Sequence, residues 1–149
     1  CGTARRPAAR DPAMTPEEMA ALHAACFTTP RPWSAQEIRD TLASPHCFVL
    51  TEPQGFLIGR AVAGEAELIT LAVDPAARQR GTGGRLVDAF LAEARARGAE
   101  SAFLEVSAAN LPAQSLYARK GFDQKGKRRG YYQTPDHIRI DALVLVRAI

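Results

Sequence analysis

The sequence predicts an α+β domain in which a central mixed, mainly antiparallel β-sheet is flanked by about four helices. Three observations point there. Two capping boxes, Thr15-Pro16-Glu17-Glu18 and Ser34-Ala35-Gln36-Glu37, open two successive helices. Three short apolar runs follow at close spacing, "HCFVLT" (46–51), "FLIGRAVAG" (56–64) and "AELITLAV" (66–73), which suits antiparallel strands. Beyond them, helix-like and strand-like segments alternate, the helical ones closed by Gly98 and Gly121.

Taken in order, residues 1–13 are rich in Ala, Arg and Pro and read as an arm or a poor edge strand. Pro16 at the first helical position suits a helix to about Cys26, which "TTPRPW" (28–33) breaks. The second helix runs from the Ser34 cap to about Ala43. "EPQG" (52–55) makes the turn between the first two strands. A glycine-rich stretch then leads into a helix with Leu86, Phe90, Leu91 and Ala94 on one face. "SAFLEVS" (101–107) is a strand, and Asn110 caps the short helix "LPAQSLYARK". "FDQKGKRRGYY" (122–132) and "IRIDALVLV" (138–146) supply two last strands.

The 149 residues are read as one domain, 1–149, large enough to bury a core without staples. With 46% hydrophobic and 23% charged residues the composition is that of an ordinary soluble chain. Apolar runs such as "LITLAV" (68–73) are too short to span a membrane, and the first ten residues lack the apolar core of a secretory leader. Three widely spaced cysteines, Cys1, Cys26 and Cys47, have no metal spacing and suggest reduced thiols in a cytoplasm. His23, His46 and His137 have no spacing that suggests a triad or a metal site, so no role and no metal is assigned. The net charge of +3 is concentrated locally. Lys120, Lys125, Lys127, Arg128 and Arg129 face only Asp123 within residues 120–129. Such a patch could meet nucleic acid, an acidic peptide or a phosphate-bearing cofactor, though charge alone favours a solvated hairpin.

Within "DPAARQRGTGGRLVDAF" (74–90), three of the four positions from Gly81 to Gly84 are glycine, directly ahead of a good helix. Glycine there is entropically costly and is accepted where backbone must come very close to something. A helix start with unpaired N–H groups and a positive dipole end is a natural seat for a phosphate, and Arg80 and Arg85 could add charge-assisted bonds. The Walker spacing fails because no lysine follows the glycines, and the Rossmann spacing fails because Arg85-Leu86 follow Gly84.

The pattern [QR]-x-x-G-x-[GA] fits, as Arg78-Gln79-Arg80-Gly81-Thr82-Gly83. It resembles the acyl-coenzyme A loop of the GNAT acetyltransferase superfamily. With "LEVSAANLPAQSLYARKGF" (104–122) and "RRGYY" (128–132) downstream, the chain is similar to the RimI-type branch, the ribosomal-protein N-terminal-alanine acetyltransferases. The likeness is near continuous from Glu67 to Tyr132, with "PWS" (32–34) upstream. It implies the GNAT fold and acetyl-CoA as donor. It further implies that the main chain at Leu71, Ala72 and Val73 pairs with the pantetheine arm, that Gln79, Arg80, Gly81, Thr82, Gly83 and Gly84 cradle the pyrophosphate, and that Asn110 meets the cofactor near its thioester. Pantetheine amides spaced like a peptide make strand pairing physically reasonable.

Two residues are the candidate acid and base. Glu105, in "FLEVS", either faces outward from a half-exposed strand or acts as a general base in a semi-apolar cleft. Tyr117 either packs in the core beside Phe122 or protonates the leaving thiolate; the resemblance implies the second role for both. Asn110 is an N-cap, a ligand or both. Trp33, Tyr131 and Tyr132 either line a peptide groove or pack structurally.

The reaction expected is direct attack of a neutral amine on the thioester, with a backbone N–H at Leu71 to Val73 on the oxyanion. The resemblance implies a protein N-terminus as acceptor, that of a ribosomal protein, acetylated in the cytoplasm; a monomer or weak dimer is expected. No membrane is expected as a partner. The alternatives are a lysine side chain or small-molecule amine as acceptor, a non-catalytic coenzyme A-binding regulator, and, least favoured, a nucleic-acid module built on residues 120–129.

Overall fold

The computed structural model describes residues 14–27, 31–78 and 80–149. The arm or edge strand expected over 1–13 lies outside the described residues, as does Gln79.

The first layer is the helical pair α1 (Pro16–Cys26) and α2 (Ala35–Leu42). Both open on complete capping boxes: Thr15 and Ser34 side chains accept the N–H of Glu18 and Glu37, whose carboxylates accept the cap N–H in return. These reciprocal bonds satisfy donors that a helix start otherwise leaves unpaired. Met19, His23 and Ile38 are the residues that the pair buries.

The sheet comprises β1 (Cys47–Glu52), β2 (Gly55–Val62), β3 (Glu65–Val73), β4 (Ser101–Ser107), β5 (Asp123–Gln133) and β6 (Arg139–Ala148). Among the described residues the strand order is β1-β2-β3-β4-β6-β5, with the β3–β4 pair parallel and the other pairs antiparallel. The parallel pair needs a crossover, which α3 (Thr82–Ala96) supplies by burying Leu86, Val87, Phe90, Leu91 and Ala94 on one sheet face. α4 (Leu111–Arg119) follows β4. The predicted mixed sheet with four helices is thus the observed architecture, and only element ends move, by one to three residues.

A single irregularity organises the molecule. In the β2–β3 ladder Ile58 faces Thr70 while Gly59 faces Leu68, so Ile69 is the extra residue of a bulge. Period-two alternation breaks there. Ala66 and Leu68 belong to the core under α3, as do Leu71 and Val73, whereas Ala72 joins Met19, Ile38, Phe56 and Ile58 in the core under α1 and α2. The same bulge marks where β3 leaves β4. Their parallel pairing covers Glu65–Ser101, Ala66–Ala102 and Glu67–Phe103, and then stops. Beyond Glu67 the two strands diverge as a fork.

Candidate active site

The first arm of the fork is β3 from Leu68 to Val73, whose edge toward β4 has no strand partner among the described residues. Leu71 and Val73 are half-buried and Ala72 is buried, so these side chains are spent on the two cores and the main chain is what the edge offers. The strand ends at Asp74, whose side chain accepts the Ala76 N–H at 2.9 Å and opens a 3₁₀ turn over Pro75–Ala77. Gly81 then turns the chain into α3 with φ +82°, a left-handed conformation that side chains resist.

α3 starts with no side-chain cap. Its ladder begins with the Arg85 N–H bonding the Gly81 carbonyl at 2.9 Å, which leaves the amides of Thr82, Gly83 and Gly84 without an intrahelical partner. A bare first turn at the end of an open strand edge fits an anionic group attached to an extended, amide-bearing arm. Gly83 has a second reason to be glycine. A Cβ there would lie 3.2 Å from Leu116 Cδ2, so α3 and α4 meet tightly at this point.

The basic residues near this loop differ in availability. Arg80 is exposed. Arg85, expected to be free for phosphate, instead grips Glu52 through Nε and Nη2 at 2.9–3.1 Å, and bonds the Arg80 carbonyl and Thr82 Oγ1. It braces the loop and spends its charge on Glu52. Asn110 is the N-cap of α4, its Oδ1 accepting the Ala113 N–H at 3.2 Å. Gln114 adds bonds from Nε2 to the carbonyls of Ser107 and Ala108, fixing the turn between β4 and α4.

The second arm carries Glu105 at the middle of β4, opposite Val144 of β6. Its side chain is 21% exposed and forms an ion pair with Arg128 of β5. Oε2 itself is buried, and its partner among the described residues is the Arg128 guanidinium, with no second donor on that oxygen. A buried carboxylate held by a single flexible, half-exposed arginine is a candidate working group.

Two phenols follow in line, Tyr132 beside Glu105 and Tyr117 beside Tyr132. Tyr132 is half-buried, and burial together with the neighbouring Glu105 charge pushes its pKa up to about 12. Tyr117, 6% exposed in α4 and packed edge-on against Phe122 at 5.9 Å, is raised by burial and by Tyr132. Both are therefore protonated donors at neutral pH. Tyr131 points the other way: it is exposed, stacks edge-on against Tyr132 at 5.2 Å and lies under Arg128 at 5.3 Å. Two of the expected aromatic set thus differ in placement, Tyr132 at Glu105 and Tyr131 outside.

Trp33 is half-buried on the α1–α2 side and shares a hollow with Arg60, Glu67 and Ile69. A second hollow of about 640 Å³ lies between the segment after α1 and the β5–β6 turn, lined by Phe27, Pro32, Gln133 and Pro135 among others. Neither hollow is lined by Glu105. Glu67 was not singled out from the sequence, yet it closes the fork. It sits in the last β3–β4 pair, and burial raises its pKa, with Arg60 opposing and Glu105 adding to the shift. Its strand position alone could not mark it, because its approach to Glu105 comes from the pairing of β3 with β4, which composition does not show. Arg128 and Lys127, expected to be free steering charges, are paired with Glu105 and Asp141. Among the described residues no group of three His, Cys, Asp or Glu side chains is placed to hold a metal.

Residues 16–122 match the acetyltransferase (GNAT) family. The chain is 39% identical over 90 residues to the ribosomal protein bS18-alanine N-acetyltransferase of Haemophilus ducreyi, covering 60% of this chain and 62% of that protein. It is 34% identical over 122 residues to the Escherichia coli K12 protein of the same name, covering 79% of this chain and 82% of that one. The crystal structure of the ribosomal-protein-S18-alanine N-acetyltransferase from Escherichia coli superposes with a TM-score of 0.77 at 30% identity, over 87% of this chain and 84% of that chain.

Proposed function

We propose, from the premise that this chain belongs to the acetyltransferase (GNAT) family, that it acetylates the N-terminal α-amine of a protein and does so as a single domain. The enzyme is an acetyl-CoA-dependent N-acetyltransferase. The likeness to bS18-alanine N-acetyltransferases supports an N-terminal alanine of a ribosomal protein as acceptor, and hence a cytoplasmic setting. No helix among the described residues is long and apolar enough to cross a membrane.

The observation that carries this reading is the fork itself, with an open strand edge and a bare helix start on one arm and the buried Glu105 carboxylate on the other. What acetyl-CoA supplies is an acetyl group activated as a thioester. The chain supplies the rest. The amides at Thr82 to Gly84 and the Leu71–Val73 edge hold the donor, with Arg80 beside them; the role proposed for Gln79 in the same cradle rests on the sequence alone. Asn110 caps α4 through Oδ1, and its Nδ2 remains a donor for the cofactor near its thioester.

Glu105 Oε2 accepts the proton of the incoming amine, directly or through a water. An α-amine with pKa about 8 needs less help than a lysine at about 10.4, which suits a carboxylate base. Tyr117 donates a proton to the departing thiolate, a role its raised pKa permits because the phenol stays protonated across the working range. Tyr132 and Trp33 bound the acceptor side, and Tyr131 lies at its rim.

Peptides that differ only in the first residue, assayed with acetyl-CoA for thiol release and by mass spectrometry, test this reading. Acetyl on the α-amine of an N-terminal alanine peptide is expected. Acetyl found only on lysine, including in an N-terminally blocked peptide, would contradict it.

A further inference from the structure

Three segments far apart in sequence meet on one imidazole. His23, in the last turn of α1, is 1% exposed. Its Nδ1 accepts the backbone N–H of Trp33 at 3.2 Å, and its Nε2 lies 2.9 Å from Thr70 Oγ1 on β3. A backbone N–H can only donate, so Nδ1 is the bare nitrogen and Nε2–H donates to Thr70. The ring stacks on Phe27 with centroids 4.3 Å apart, and the Trp33 and Phe56 rings stand at 6.0 and 6.4 Å.

The two partners matter by position. Thr70 follows the bulge at Ile69 and precedes the Leu71–Val73 edge. Trp33 and Ile69 line one hollow with Glu67, which lies on the sheet face that also carries Glu105, since Glu67 pairs with Phe103 and Glu105 is two residues on. Residues 31–34 form neither helix nor strand, so their placement depends on side-chain ties such as this one.

We propose that His23 is a positioning residue for the acceptor: it clamps Trp33 and the segment entering α2 against the strand that follows the bulge, and so fixes one wall of the acceptor groove without touching substrate. This rests on reading the Trp33 face as the acceptor side. Burial holds the His23 pKa down at about 4, with the Glu37 carboxylate of α2 opposing. Glu37 is bound by Arg31 through two bonds at 2.7 and 3.0 Å, which with the Ser34 N–H and hydroxyl keep it ionised down to about 2. The strands turn Phe56 and Thr70, both uncharged, toward the ring. The clamp is thus intact at neutral pH. Near pH 4 the protonated Nδ1 becomes a donor facing the Trp33 donor, and the clamp opens.

Trp33 is the sole tryptophan of the chain, so its emission reports the clamp directly. His23→Asn puts a carbonyl oxygen where Nδ1 stood and keeps the Trp33 bond; His23→Gln puts an amide nitrogen near the Nε2 position and keeps only the Thr70 bond. His23→Gln should raise the peptide KM about tenfold, the loss of one buried hydrogen bond, with the acetyl-CoA KM moved by less than about twofold. His23→Asn should recover most of that loss. Trp33 emission should titrate with a midpoint near pH 4 in the parent and not in His23→Asn. Equal changes in both KM values, an unchanged peptide KM in His23→Gln, or the same emission titration in His23→Asn would each overturn the proposal. If both His23 variants fail to fold, Thr70→Val, close in shape, should still shift Trp33 emission and raise the peptide KM several-fold; a parent-like result would overturn the clamp. If the parent itself acetylates no α-amine, the acceptor reading fails, and the emission titration still decides whether His23 holds Trp33.

Discussion

The two arms of the fork are built from different materials. The donor arm is main chain: the free edge of β3 and the amides at the start of α3, turned by a left-handed Gly81. The acid arm is side chain: Glu105 from β4, paired with Arg128 and flanked by Tyr132 from β5, with Tyr117 from α4 next to Tyr132. A site made of backbone depends on a few consecutive residues, whereas a site made of side chains depends on the register of several elements at once. The first should therefore break through local conformation and the second through the chemistry of single groups.

The largest effect belongs to the donor arm. Gly81→Val must force a β-branched residue to φ +82°, at a cost of about 1–3 kcal/mol, and also screens the bare first turn of α3. Calorimetry should show coenzyme A affinity reduced by at least about 100-fold, with a lowered Tm and a retained fold. Native affinity in this variant would break the backbone account of that arm.

On the acid arm, Tyr117→Phe should lower kcat by up to about 100-fold with little change in the acetyl-CoA KM. Because burial raises the phenol above its ordinary range, the defect should stay constant from pH 7 to 9. A near-parental kcat in this variant, which keeps the ring against Phe122, would assign Tyr117 to packing instead.

His23 lets stability be compared with activity. Its pKa is depressed to about 4 in the folded chain against 6.5 unfolded, so the unfolded chain takes up the proton first as pH falls. This contribution is complete above about 6.5, declines between 6.5 and 4, and amounts to on the order of 3 kcal/mol. Thermal melts across that window should lose Tm in the parent more steeply than in His23→Asn.

The smallest effect is expected at the basic edge. Lys127 is exposed and pairs loosely with Asp141 at 3.9 Å, so Lys127→Gln should change the KM for any peptide by less than about twofold at physiological salt. A large, salt-dependent rise for acidic peptides would restore a steering role to β5.

How much could be read beforehand follows the same division. Both capping boxes, the glycine loop and the uncapped start of α3 are local patterns, and each lies where the residues place it. Glu105 was legible as an acid that interrupts an apolar strand. Its partners were not. Arg128 and Lys127 sit in a run of charges that looks solvated, and only the β5–β6 register, shifted between Arg128 and Tyr132, brings Arg128 and Tyr132 to Glu105. Arg85 was misread as a phosphate ligand because Glu52, its partner, is 33 residues away. Glu67 and His23 were passed over for a related reason: the pairing of β3 with β4 and the tie to Trp33 are tertiary facts with no local spacing.

The central claim is that Glu105 removes the amine proton, and a pH–rate profile of Glu105→Gln beside the parent tests it most directly. The substitution keeps shape and removes proton acceptance. At pH 7, kcat should fall about 10²–10⁴-fold with the acetyl-CoA KM little changed. The gap should narrow toward pH 9, where an α-amine of pKa about 8 is already largely deprotonated. Near-parental activity at pH 7, or a gap that does not change with pH, would contradict the assignment and move the base elsewhere in the fork.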